Sequence, residues 1–301
     1  MKIDAKISKI RWKRAFENAI EVLLTCLGFL FSFFRSSGSH TLNPQCYQNL
    51  KNIYLRNNEI SNWLEDELRI VSWNILRNYE SEKIHVSLTD ILKKYQPHVL
   101  LIQEAPVRDN SRFWDQDIFD DYDMLYAPLH TVRQQTPFYD FLHTGQLSLS
   151  KSSFSKTEVH TLPHVWRHLL GKNHTISRVA LYTQISNQND TTIGIYNVHL
   201  ENVIWHTGRR KQIEYLLGLI EKKDDEVVII WGDFNTFLGS QESCIKLLED
   251  AGFERLIDRW RWTPTLDHLF VRWSHQSQGS KISWNGSDHT PIYGSILLEN
   301  I

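Results

Sequence analysis

The stretch Glu226 to Thr236, EVVIIWGDFNT, sets five apolar residues, Val227 to Trp231, directly before Gly232, Asp233, Phe234 and Asn235. An unbroken apolar run of this length, bounded by glycine, reads as a strand buried on both faces. Its end in a carboxylate and an amide places polar groups at the rim of a sheet. Strand alternation puts Asp233 and Asn235 on the same face.

Similar β-like runs recur on either side: RIVSWNIL from Arg69, HVLLIQE from His98, TGQLSLSK from Thr144, RVALYTQIS from Arg178, TIGIYNVHL from Thr192, LDHLFV from Leu266 and TPIYGSILL from Thr290. They are rich in Val, Ile and aromatic residues, as strands are. Helical spacing separates some of them. Ile84, Leu88, Ile91, Leu92 and Tyr95 share one helix face that stops before Pro97, and Ile213, Leu216, Leu217 and Ile220 define a second. A third helix is expected from a Ser240 N-cap to a Gly252 stop. Interleaved strands and helices fit either two packed sheets with helices outside or one mixed α/β sheet, and periodicity does not choose between them.

A chain of 301 residues accommodates one large domain with an additional segment. The 41% apolar and 23% charged content is ordinary for a globular protein and excludes fibrous or disordered classes. A net charge of −2 excludes a global basic field for holding long nucleic acids. Three scattered cysteines make neither a disulfide framework nor a thiolate metal site; at most Cys46 pairs with Cys244.

Residues 1–42 are read as a basic leader, an apolar segment and a linker. Lys2, Lys6, Lys9, Arg11, Lys13 and Arg14 precede the uncharged run VLLTCLGFLFSFF, Val22 to Phe34. As a helix, residues 19–34 reach about 24 Å, short of a bilayer core of about 30 Å. Three readings stand side by side: an uncleaved anchor, a cleaved signal, and a helix docked on the protein or lying at an interface. The first two place the rest of the chain outside the cytoplasm; a cytoplasmic location is the alternative. Residues 43–67 are read as a linker with a short helix, and 68–301 as the catalytic domain, expected as a monomer.

Several strands end at residues able to hold a metal or a phosphate. The set comprises the carboxylates Glu104, Asp233, Asp267 and Asp288, the amides Asn74, Asn197 and Asn235, and the imidazoles His199 and His289. Asn197 and His199 share a strand face, whereas His268 faces away from Asp267 and is expected to be structural. Oxygen donors without thiolates suit Mg²⁺ or Mn²⁺. The remaining amides and imidazoles, Asn197 among them, can donate hydrogen bonds to phosphoryl oxygens, and a histidine held by a carboxylate can deprotonate water.

Taken in order, SWNIL, LLIQE, NVHLEN, WGDFNT, LDHLF and GSDHTPI resemble the endonuclease/exonuclease/phosphatase superfamily over about Arg69 to Leu298. The resemblance implies a four-layered α/β sandwich, two packed mixed sheets flanked by helices. It implies Mg²⁺ held by Glu104 with Asn74 and Asp288, and a nucleophile and phosphate positioned by Asp233 and Asn235. His289 corresponds to the general base, Asp267 to its orienting partner, and His199 to a phosphate-binding or acid-side residue. Among relatives, the histidine of NVHLEN is similar to the DNase I, sphingomyelinase and phosphatase branches.

The expected reaction is hydrolysis of a phosphodiester, nuclease-like or phospholipase C/sphingomyelinase-like, on a nucleic acid or a phospholipid headgroup. The alternatives are an inositol-phosphate or phospholipid phosphomonoesterase and a non-catalytic phosphate-binding module. Two His- and Arg-rich segments, His130 to Gly145 and His164 to Arg178, are candidates for substrate contact, and Arg178 and Arg209 are candidate phosphate ligands. Trp63, Trp166, Trp205, Trp260 and Trp262, together with the apolar run at 19–34, are compatible with lipid contact.

Overall fold

The computed structural model describes residues 54–56, 66–76, 81–107, 112–115, 117–131, 143–163, 178–202, 207–236, 241–257, 265–274, 276–283 and 287–298. The expected leader and apolar segment, residues 1–42, lie outside the described residues. Among the described residues no helix is long and apolar enough to cross a membrane.

Two sheets carry the structure. The larger contains β1 (Tyr54–Arg56), β2 (Glu67–Asn74), β3 (Val99–Val107), β4 (Asp123–Thr131), β5 (His143–Ser150), β12 (Gln276–Lys281) and β13 (Ile292–Leu297), in the order β1-β4-β5-β3-β2-β13-β12. The smaller contains β6 (Lys156–Thr161), β7 (Val179–Ser186), β8 (Thr192–His199), β9 (Val227–Thr236), β10 (Glu254–Arg255) and β11 (Thr265–Arg272), in the order β10-β11-β9-β8-β7-β6. Among the described residues three α-helices accompany them: α1 (Ser81–Tyr95), α2 (Thr207–Ile220) and α3 (Ser243–Asp250).

Alternation along β9 explains the layering. Val227, Ile229 and Trp231 pack with Leu68, Ile70, Val99 and Leu101 between the sheets. Val228, Ile230 and Phe234 pack on the opposite face with Ile213 and Leu216 of α2 and Ile245 and Leu248 of α3. On the outer face of the larger sheet, Ile84, Leu88 and Ile91 of α1 cover Val71, Trp73, Leu100 and Ile102. The result is the expected four-layered α/β sandwich, with β9 buried on both faces.

Among the described residues only β2–β3 and β8–β9 pair in parallel. Parallel neighbours need a crossover, here supplied by α1 and α2. Each crossover makes two adjacent strands end at the same edge, so the carboxyl ends of β2, β3, β8 and β9 are available to build a site.

Some expectations change. Tyr54–Arg56, inside the stretch read as linker with a short helix, is an edge strand antiparallel to β4. Tyr54 packs its ring on Trp114, and the Arg56 guanidinium donates to the carbonyls of Phe119 and Tyr122. Helix α3 has Glu242 at its N-cap, with no side-chain cap; Ser240 lies outside the described residues. Gly252 ends the turn after α3 with φ +82, as expected of a glycine stop. Cys244 is a buried free thiol; Cys46, its one candidate partner, lies outside the described residues.

Candidate active site

Cross-strand register brings the polar residues together. In the smaller sheet His199 of β8 and Asp267 of β11 both pair with Asp233 of β9, from either side. Opposed residues project to the same face, so three adjacent strands present an imidazole and two carboxylates at one level. In the larger sheet Asn74 is the last residue of β2 and pairs with Gln103 of β3. The turn before β13 contributes His289.

Two bulges adjust the rim. On β3 the two residues between Ile102 and Ala105 oppose one, Gln146, on β5, and Glu104 has φ +59. The extra residue breaks alternation between Gln103 and Glu104 and re-aims the chain. On β9 the two residues between Asp233 and Thr236 oppose one, Leu266, on β11, and Asn235 has φ +52. Strict alternation therefore does not carry from Asp233 to Asn235, contrary to the sequence reading. The Asn235 amide instead donates from Nδ2 to the Leu200 carbonyl (3.0 Å), and its backbone N–H donates to Asp233 Oδ1 (2.9 Å).

Asp233 is the hub. Its Oδ2 accepts from Asn74 Nδ2 at 2.9 Å and lies 3.4 Å from His199 Nε2 and 3.7 Å from His289 Nε2. His289 Nδ1 lies 2.9 Å from Asp267 Oδ2. An ionised carboxylate only accepts, so this contact places the ring proton on Nδ1 and turns Nε2 toward Asp233. Two residues overlooked in the sequence fix the backbone of His289: Trp73 Nε1 donates to its carbonyl (3.0 Å), and Ser287 Oγ accepts from its N–H (3.1 Å) while donating to the Asn74 carbonyl (2.7 Å). Ser287 was visible within GSDHTPI, but nothing local distinguished its hydroxyl from that of an ordinary turn serine.

Burial raises the Asp233 carboxyl to about 7, against the pull of the His289 charge and the Asn74 and Asn235 donors. Burial disfavours charge on His289 too, but the Asp267 and Asp233 carboxylates outweigh it and hold the imidazole well above its usual value. Both groups bind protons more tightly in the folded chain than in the unfolded one. The Asp233 contribution to stability is therefore complete below its unfolded value of 3.8 and is lost as pH rises through about 7, whereas that of His289 is complete below its unfolded value of 6.5 and is lost only above it. Metal-free protein is expected to lose more thermal stability between about pH 5 and 8 than an Asp233→Asn variant; equal slopes in melting series would contradict this assignment.

The donors fit a hard divalent cation. Among the described residues, Asp233, Asp267 and His289 each offer a ligand atom within 4.8 Å of the others, with no thiolate in the set. Two of the three residues assigned by resemblance touch or approach this group. Asn74 touches Asp233, Asp288 is exposed with Oδ1 3.9 Å from His289 Nε2, and Glu104 is half-buried at the β3 bulge.

Other candidates settle differently. Asn197 is not a phosphate ligand: it is fully buried, accepts from Gln103 Nε2 (2.8 Å), and donates to the Leu147 carbonyl (3.0 Å), which ties the sheets together. Arg209 is fully buried in a bidentate pair with Glu242, so it too is unavailable to substrate. Arg178 is buried just before β7, near enough to Glu201 to lower that carboxyl against the rise caused by burial. His268 is structural as expected, with Nε2 2.7 Å from Thr236 Oγ1 and its ring stacked on Phe270. Of the two candidate contact segments, His130 and Thr131 end β4, His143 to Gly145 begin β5 and Arg178 precedes β7; the rest, and the five tryptophans proposed for lipid contact, lie outside the described residues.

The model of the Endonuclease/Exonuclease/phosphatase family matches residues 71–289. Comparison with curated proteins finds no match. Among solved structures, the chain is similar to an endonuclease/exonuclease/phosphatase from Bacteroides vulgatus at 14% identity, over 77% of this chain and 99% of that one, with a TM-score of 0.58. It is also similar to the human Nocturnin catalytic domain with bound sulfate anion (17% identity, 84% and 99% coverage, TM-score 0.55). A third is D. rerio TDP2 complexed with single strand DNA product (19% identity, 77% and 99% coverage, TM-score 0.55). At these identities the likeness to solved structures concerns the fold.

Proposed function

The chain belongs to the endonuclease/exonuclease/phosphatase family, and we propose that within this family of phosphoester hydrolases it is a divalent-metal-dependent phosphodiesterase. The observation that carries the reading is the line from half-buried Asp267 through buried His289 to buried Asp233, with contacts of 2.9 and 3.7 Å. A carboxylate-held imidazole set beside a second carboxylate is the arrangement needed to take a proton from an attacking water.

Glu104, with Asn74 and Asp288, would hold the cation; when bound, Mg²⁺ or Mn²⁺ neutralises charge on the phosphoryl oxygens. Asp267 keeps the proton on His289 Nδ1 and stabilises the imidazolium once Nε2 has accepted a second proton. Asp233 orients the nucleophile, and Asn235, bonded to both Asp233 and Leu200, fixes that carboxylate. His199 Nε2, at the same level on the adjacent strand, is the donor toward the phosphate. Water attacks phosphorus in line and the ester oxygen leaves opposite it.

The substrate is a diester from nucleic acid or from a phospholipid headgroup. The basic leader and apolar segment give the lipid source weight, and on this reading residues 19–34 anchor or export the protein with its catalytic domain outside the cytoplasm. The test is a panel assay of the full chain against plasmid DNA, RNA, sphingomyelin, phosphatidylinositol phosphates and bis-p-nitrophenyl phosphate with Mg²⁺. Diesters are expected to be turned over in preference to monoesters. Turnover of monoesters alone would replace this reading with a phosphatase, and turnover of DNA alone would remove the lipid source.

A further inference from the structure

We propose that the buried Arg209–Glu242 ion pair, with Gln212, is a positioning device that clamps the chain leaving β8 against Asp233 and Asn235; this rests on the phosphodiesterase reading of the site. Arg209 Nε and Nη2 donate to the two Glu242 carboxylate oxygens at 2.7 and 2.9 Å, and both side chains are fully buried. The same guanidinium donates from Nη1 to the Glu201 carbonyl (3.2 Å). Gln212, one turn along α2, accepts from the Glu201 N–H (3.0 Å) and donates to the Pro163 carbonyl (3.2 Å).

These groups join the roots of three segments: the one after β6 at Pro163, the one after β8 at Glu201, and the one between β9 and α3 at Glu242. The grip on Glu201 passes one residue further into the site. Leu200 donates its N–H to the Asp233 carbonyl (2.8 Å) and accepts from Asn235 Nδ2 (3.0 Å). Leu200 also follows His199 directly. Three residues of the site are therefore bonded to, or adjacent to, the backbone that Arg209 and Gln212 hold.

Local stability does not account for the pair. Arg209 lies in the first turn of α2, which contains no acidic residue, and its charge there opposes the helix dipole. A buried ion pair also bears a desolvation cost that well-packed apolar residues of similar volume avoid, so replacing both partners is often neutral or stabilising. What apolar replacements cannot supply is the directed donor to the Glu201 carbonyl.

The test uses the full chain carrying Arg209→Met together with Glu242→Leu. Its melting temperature is expected to match or exceed that of the parent, while hydrogen exchange at the Leu200 and Asn235 amides speeds up. With bis-p-nitrophenyl phosphate and Mg²⁺, kcat is expected to fall about 10- to 100-fold with KM little changed, as for misplaced catalytic groups. Gln212→Met, which leaves the ion pair intact but removes the acceptor of the Glu201 N–H, is expected to speed exchange at Glu201 and to give a smaller rise at Leu200. Unchanged exchange and unchanged kcat in a stable double variant would overturn the proposal, and so would a melting temperature far below the parent's, because the pair would then serve the core alone. If the parent hydrolyses no diester, the phosphodiesterase reading fails, while the exchange measurements still decide whether the clamp exists.

Discussion

Replacing His289 by alanine is expected to lower kcat by about 10³-fold, and adding Asp267→Asn to that variant is expected to cost nothing further. General-base catalysis contributes roughly 10²- to 10⁴-fold, which sets the size of the first effect. The second follows from geometry. Asp267 meets His289 Nδ1 at 2.9 Å, so it acts through the imidazole and has no separate task once the ring is gone. Alone, Asp267→Asn is expected to cost about 10- to 100-fold, since an amide can still accept from Nδ1–H but does not stabilise the imidazolium. Such non-additivity identifies residues that act as a unit. Additive losses in steady-state kinetics would mean that Asp267 has its own contact with the reacting groups.

Gly232→Ala is expected to be among the most damaging single substitutions to stability. Gly232 has φ +144, a region that side chains avoid, and an added Cβ would lie 1.9 Å from the Val198 carbonyl oxygen. That oxygen belongs to the neighbouring parallel strand and cannot swing away as a flexible side chain would. Backbone strain and the clash together are expected to cost roughly 3 kcal/mol or more, which for a domain of this size lowers the melting temperature by about 10 °C. Activity should fall further than stability alone explains, because Asp233 is the next residue. Gly218→Ala is the contrasting control: within α2 its added methyl meets nothing within 4 Å, and the variant is expected to gain up to about 1 kcal/mol. Thermal unfolding by circular dichroism measures both.

Sequence pattern carried the interior of the fold and lost its edges. The apolar run of β9 and the helical spacings of α1 and α2 are direct records of burial, so they could be read without a structure. Strands β12, QSQGSK, and β6, KTEVHT, are edge strands. With one neighbour each and exposed faces, they need little hydrophobic patterning and leave none to find. β1 has only three residues, and β4 contains Pro128 beside a register shift, which demotes it as a strand by any local rule.

At the site, side-chain types pointed to the chemistry, while positions failed wherever the backbone departs from regular alternation. The positive φ values of Glu104 and Asn235 are imposed by bulges that depend on the neighbouring strand. Arg209 and Asn197 failed for a related reason. A lone arginine or asparagine near a phosphate motif looks available until its partner is known, and Glu242 and Gln103 lie 33 and 94 residues away in the chain. Asp267 and His268 were legible because that strand alternates regularly at those residues.

The most direct test of the account is turnover of bis-p-nitrophenyl phosphate by the full chain with Mg²⁺, after chelation, and after chelation with Mg²⁺ restored, with His289→Ala measured alongside. Turnover is expected to disappear on chelation, to return with Mg²⁺, and to be lower by about 10³-fold in the variant. Turnover that survives chelation, or a His289→Ala enzyme as fast as its parent, would contradict it.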